Sequence, residues 1–170
     1  MSERNGILTK RRKRVLLWCC VLIVAGFIFC FSAEDGETST KTSDQVVRVV
    51  VKVTHPEYES LSPMKKLSIW KTISCFVRKS AHFLEYTALG FFLKLLMDSY
   101  ALRPKLLWAW LAGTAYAGTD ELHQLFTSSR SGMWQDVLLD SSGVFTGGLI
   151  ALALTLIVAL IRRRGLLSRT

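Results

Sequence analysis

The sequence predicts an all-α fold: a polytopic membrane helical bundle with four transmembrane helices plus an extracytoplasmic interfacial helical segment. Three observations carry that expectation. Half of the 170 residues are hydrophobic, and the mean hydropathy is positive. The apolar residues gather in long runs instead of being spread by an amphipathic pattern. Four of these runs have the roughly 17 to 25 residues needed to span about 30 Å of hydrocarbon at about 1.5 Å per residue. A soluble protein with buried helices is the alternative, and the runs 15–32 and 137–161 are too long and too apolar for it.

The first element follows a basic N-terminus, 1–14, which ends in Lys10-Arg11-Arg12-Lys13-Arg14. The charge-free run 15–32 reads as an uncleaved anchor. A signal peptide would want a small residue three before its cleavage point, and Phe31 stands there. Residues 33–80 form an extracytoplasmic linker and interfacial helix. Within them "AEDGETSTKTSD" (33–44) reads as a loop. "QVVRVVVKV" (45–53) is ambiguous between a strand and an amphipathic helix; a helix on the membrane surface is favoured, because a lone strand has no partner. Ser62-Pro63 marks a helix start with Pro63 in the first helical position. "MKKLSIWKTISCFVRK" then sets Leu67, Trp70, Ile73 and Val77 near one face, as an interfacial helix feeding the second span.

The remaining core, 81–161, contains three spans. The run 81–97 is interrupted by His82, Glu85 and Lys94, and 106–126 by Asp120, Glu121 and His123 near its end. The run 137–161 is broken only by Asp140. A basic tail, 162–170, begins with Arg162-Arg163-Arg164. Basic residues before the first run, Arg103 and Lys105 after the second, and this tail all fall on one side if both termini are cytoplasmic. The net charge of +9 is then positive-inside topology plus affinity for anionic lipid, and no nucleic-acid partner is expected. The four cysteines lack metal or redox spacing and read as small apolar residues.

In that topology Glu85, Asp120 and Asp140 reach a similar depth in the outer leaflet. Each lies one to two turns from a span end. A charge at mid-bilayer costs at least about 2.5–3.5 kcal/mol, less near an interface, so such residues face one another or a water-filled cleft. The spacing supports convergence. His82, Glu85 and Tyr86 share one helical face, Asp120, His123 and Gln124 repeat that spacing, and Asp136 and Asp140 are one turn apart. Small residues at Gly113, Gly118, Gly143 and Gly147 are expected where backbones approach.

Three segments also carry a family resemblance: "FSAEDGETS" (31–39), "RKSAHFLEYTALG" (78–90) and "DELHQLFTSSRSGMWQDVLLDSSG" (120–143). They resemble the motifs of VanZ-like membrane proteins over nearly the whole chain. The family's recurrent polar positions match Lys79, His82, Tyr86, Asp120, Glu121, Gln124, Arg130, Asp136 and Asp140. The resemblance implies a cell-envelope protein of Gram-positive-type bacteria, in a family named for a protein conferring low-level teicoplanin resistance, with no settled reaction. Some members carry a phosphotransbutyrylase label; no nucleotide or coenzyme A pocket is legible in this sequence.

Three uses of the polar cluster compete. It is a satisfied network that fixes helix register, with His123 hydrogen-bonded inside the bundle. Alternatively it binds an envelope lipid headgroup, undecaprenyl-linked or anionic, or a lipophilic glycopeptide, with Arg130, Lys79 and Arg78 gripping an anion beside the N-terminus of the fourth span. The third use is enzymatic, with Glu85, Asp120, Glu121, His82 and His123 as acid, base or metal ligands. No cofactor is predicted, and a divalent metal is the one ion the Asp/Glu/His set leaves open.

Overall fold

The computed structural model describes residues 2–32, 36–100, 103–124 and 134–167. Among the described residues five α-helices follow in chain order: α1 (Ser2–Ser32), α2 (Gly36–Thr54), α3 (Pro63–Asp98), α4 (Lys105–Gln124) and α5 (Trp134–Leu167). A single 3-10 turn, Tyr58–Ser60, links α2 to α3. Among the described residues there is no strand, so the all-α expectation is met.

Helix α3 sets the frame. It begins as the sequence indicates, with Ser62 extended at the N-cap and Pro63 in the first turn. Pro63 fits there because a first-turn N–H has no intrahelical partner to lose. The helix then runs unbroken for 36 residues, about 54 Å, with no internal proline or other sharp kink signal before Gly90. The interfacial segment and the second apolar run are therefore one helix. Lys79 meets α5 near its first turn, at Asp136. The part of α3 ahead of Lys79 extends past that contact and is covered by α2.

The structure corrects one sequence expectation. Residues 36–44, read as loop, are helical and continuous with 45–53. The valines of "QVVRVVVKV" form the favoured helix, and it packs along α3. Val47 and Val51 are buried against Ile73, with Ile69, Trp70 and Val77 packed around them. Burying that stripe outweighs the weak helix propensity of the Ser/Thr/Gly stretch ahead of it. Leu67, expected near the face of Trp70, Ile73 and Val77, is exposed in the structure.

Helices α3 and α5 run in the same direction, with Gly143 beside Phe83 and Thr87, and Gly147 beside Thr87 and Phe91. Helix α4 runs antiparallel to both, since Tyr86 of α3 meets Tyr116 and Trp110 meets Ser141 of α5. Helix α1 packs chiefly on α3, antiparallel to it, and also touches α4. Tyr116 donates to the Ala25 carbonyl at 2.7 Å, and Gln124 reaches Ser32 at the shared end. The core holds Tyr86, Leu89, Leu93, Leu96, Ala109, Ala117 and Val144, joined by Leu17, Val21 and Ile28 from α1.

Three of the four glycines singled out lie in this interior. A Cβ on Gly147 would run into the Thr87 carbonyl, one on Gly143 into the Phe83 carbonyl, and one on Gly113 into the Val144 side chain. Gly118 is different: nothing lies within 4 Å of where its Cβ would stand. It is no close-approach site.

Polarity divides the bundle into two ends. At one, Arg14 donates to the Ser99 carbonyl at 2.7 Å and sits 4.6 Å over the Tyr100 ring. Lys94, almost fully buried, pairs with Asp98 at 2.8 Å, and Lys105 lies 3.8 Å from the same carboxylate. At the other end stand Ser32, Lys79, His82, Glu85, Asp120, Gln124, Asp136 and Asp140.

Among the described residues two helices are long and apolar enough to cross a membrane, over Thr9–Ser32 and Trp134–Arg164. Both expose large apolar side chains, among them Leu16, Leu22, Ile23 and Phe27 on α1 and Leu149, Leu154, Ile157 and Leu160 on α5. Apolar surface on that scale needs a partner other than water. The chain is a membrane protein. Helices α3 and α4 keep charged residues inside their apolar runs and do not reach the same composition.

Candidate functional site at the polar end of the bundle

The polar end is built by α3, α4 and α5, and helical spacing decides what faces inward. On α4, Asp120 and Gln124 are one turn apart and buried, as is Glu121 beside Asp120. On α5, Asp140 is buried one turn below Asp136. On α3, Tyr86 is wholly buried one turn beyond His82. The close α3–α5 contact sets Gly143 beside Tyr86, and the same register puts Asp140 about one turn earlier, near the level of His82, between that contact and the Lys79–Asp136 pair.

Three side chains therefore meet. The Tyr86 hydroxyl lies within electrostatic reach of both Asp120 and Asp140, and Asp140 within reach of Asp120, Glu121, Asp136 and Glu85. Gln124 donates to Asp120 Oδ2 at 3.3 Å and to Ser32 Oγ at 2.7 Å, which ties the site to the end of α1. That leaves Asp120 Oδ1, Asp140 Oδ1 and the Tyr86 hydroxyl buried without a hydrogen bond of good geometry. Buried polar atoms in folded proteins are nearly always satisfied, so three such atoms at one junction call for a partner.

Lys79 is placed differently from its expected role. Its ammonium lies 2.7 Å from Asp136 Oδ1, and that hydrogen bond, stronger than the opposing effect of burial, raises the Lys79 pKa above its ordinary value. Lys79 stays charged across ordinary pH and is committed to Asp136 instead of standing ready as an anion grip. His82 and Glu85 face each other across one turn at 3.9 Å. His123 turns toward α1, its ring 4.7 Å from that of Phe29, and its Nδ1 is buried without a hydrogen-bond partner. It does not make the internal hydrogen bond expected of it through that nitrogen. Arg130 lies outside the described residues.

Among the described residues no three His, Cys, Asp or Glu side chains gather as a metal-ligand group, and the cysteines are unpaired. Beside the junction, Trp110 donates to Ser141 Oγ at 2.9 Å and Thr114 shares a 2.8 Å hydrogen bond with the same hydroxyl. Ser32, Thr114 and Ser141 were not legible as site residues, because isolated hydroxyls in apolar helices carry no spacing signal. Gly90 is the packing residue that sequence reasoning missed: a Cβ there would run into the Val144 backbone. It stands one turn past Tyr86, where small residues on the same face would have marked it.

No curated protein and no solved structure matches the chain. A family model described as VanZ/LLP1 matches residues 17–158, which takes in the second half of α1, the α2–α3 pair and every residue of the junction. With most of its length so matched, and with the polar motifs at 78–90 and 120–143 inside the match, the chain belongs to the VanZ/LLP1 family.

Proposed function

We propose that this protein is a multi-pass component of the bacterial cell envelope with four spans and both termini cytoplasmic. Its outward-facing polar end recognises the headgroup of an envelope lipid or of a lipophilic glycopeptide, and through that binding contributes to antibiotic resistance. One observation carries the reading. Carboxylates and a phenol from three helices converge, buried and incompletely hydrogen-bonded, at a single end of the bundle. A network meant only to hold helices in register would leave fewer acceptors unfilled, since an unpaired buried charge costs several kcal/mol. In support, the helix directions alternate as four spans would, and the opposite end carries Arg14, Lys94 and Lys105, in keeping with a positive-inside orientation.

A second reading, a membrane-embedded enzyme acting on a lipid-linked substrate, is favoured by the His82–Glu85 pair at 3.9 Å beside the junction. That pair has the residue types of an acid–base couple. Turnover separates the two: a binder returns its lipid unchanged, whereas an enzyme converts it.

The test is glycopeptide susceptibility of a sensitive host expressing each variant at matched membrane levels. Asp120→Asn keeps size and most hydrogen bonding while removing the charge, and it abolishes protection. Arg130→Ala, chosen on sequence spacing, does the same, and Arg130→Lys is intermediate because it keeps charge but loses the bidentate fork. Full protection by both Asp120→Asn and Arg130→Ala would make the cluster structural. In a host where the wild type gives no protection, native lipids retained in mild detergent and identified by mass spectrometry replace the readout. The wild type then carries a lipid that Asp120→Asn has lost.

A further inference from the structure

The junction of Tyr86, Asp120 and Asp140 has a chemical sign that the headgroup reading leaves open. Its unfilled atoms are two carboxylate oxygens and one phenol oxygen. Around them stand more acids: Glu85, Glu121 and Asp136 are all within electrostatic reach of Asp140. Three described lysines are already paired, and Arg78 stands beside Lys79 at the edge of the polar end. Lys79 is held by Asp136 at 2.7 Å, while Lys94 and Lys105 cluster on Asp98 at the opposite end of the bundle. The nearest amide donor, Gln124, is already engaged by Ser32 and Asp120.

A phosphate placed here would meet mainly acceptors and negative charge, with the Tyr86 hydroxyl the one donor among the three unfilled groups. A primary ammonium is the complement: a single positive charge with three donors and no acceptor. Two carboxylates and a phenol oxygen can take one donor each. A divalent ion is less well served, because no three-residue ligand group forms among the described residues. The distance from the helix ends is short. Asp120 is one turn from the end of α4 at Gln124, and Asp140 is under two turns from the start of α5 at Trp134, about 6 and 9 Å along the helix axes.

We propose that the Tyr86–Asp120–Asp140 junction binds the protonated amine of an amine-bearing headgroup, and that the site therefore selects ligands by a primary ammonium and not by their phosphate. This rests on the reading that the polar end recognises an envelope headgroup. It would fail alone if that end bound a lipid lacking an amine.

The probes are n-octylammonium and n-octyl phosphate, titrated calorimetrically into the full-length protein in a neutral detergent. Octylammonium binds saturably and octyl phosphate does not compete with it. Asp120→Asn and Asp140→Asn each weaken octylammonium binding by roughly tenfold or more, the loss of one charge-assisted hydrogen bond. Tyr86→Phe weakens it less. Absence of saturable octylammonium binding, binding unchanged in both Asn variants, competition by octyl phosphate, or stoichiometric displacement by magnesium would each overturn the assignment. A second measurement on the wild type needs no variant to fold. Octylammonium protects Asp120 and Asp140 from a hydrophobic carbodiimide, read by peptide mass spectrometry, while octyl phosphate leaves labelling unchanged; equal labelling with and without the amine contradicts the proposal. If lipid retention or drug protection is lost in Asp120→Asn while no amine binds, the headgroup reading stands and the amine assignment falls.

Discussion

Gly147→Leu lowers the melting temperature of the detergent-solubilised protein by roughly 6–12 °C, and Gly90→Leu does the same. The cause is steric. Helices α3 and α5 pass so closely that a Cβ on Gly147 would run into the Thr87 carbonyl, and one on Gly90 into the backbone of Val144. A flexible side chain could move aside, but two helix backbones must separate. Separating them opens the contact that also carries Tyr86 and Asp140. Overpacking costs typically about 1–3 kcal/mol, and a backbone obstacle belongs at the upper end of that range. For a chain of this size about 3 kcal/mol corresponds to the stated drop in melting temperature. Gly118→Leu is the control, because open space surrounds that position and a substitution there stays within about ±0.5 kcal/mol. Equal melting of the Gly147, Gly90 and Gly118 variants would mean that the α3–α5 contact does not exist in this form.

Asp98→Ala carries the other large effect, at the opposite end. The Lys94 side chain is only 4% exposed, and its ammonium is held at 2.8 Å by Asp98, with Lys105 also near. Removing the carboxylate leaves a buried cation unpaired beside a second one, at a cost of about 3–5 kcal/mol. Lys94→Met behaves differently. It keeps most of the packed stem and removes the charge, while Asp98 keeps Lys105 as a partner, so the loss is well below that of Asp98→Ala. The double variant Lys94→Met/Asp98→Ala is then more stable than Asp98→Ala alone, which chemical denaturation in detergent measures directly. An additive double variant would show that the pair is not coupled.

Much of the frame was legible because it rests on periodicity and length. The start of α3 at Pro63 and the long apolar runs follow from local rules, while the helix at 45–53 follows from the lack of a partner strand. The α2–α3 pairing was not legible. Val47 and Val51 look like any valines of an amphipathic stretch until the face that covers them, Ile73 with Trp70 and Val77, is placed alongside. For the same reason 36–44 read as loop: its composition disfavours a helix, and the tertiary contact lies further along the chain. In the site, helical spacing correctly aligned Asp120 with Gln124 and Asp136 with Asp140. Spacing says nothing about which charges pair between helices. Lys79 was therefore expected to hold an anion, whereas it holds Asp136. Nor does spacing tell an open glycine, Gly118, from a crowded one, Gly90.

Function as a receptor for envelope headgroups requires that the end bearing Asp120, Asp136 and Asp140 face the cell exterior. Reporter fusions measure this most directly, placed in the connection near Lys105, at Ser129 and after Arg164 of the otherwise intact chain. Cytoplasmic signals at Lys105 and Arg164, with an exported signal at Ser129, are the result expected from four spans with basic residues inside. A cytoplasmic signal at Ser129, or an exported one at Lys105, would turn the polar end away from the envelope and contradict the proposed function.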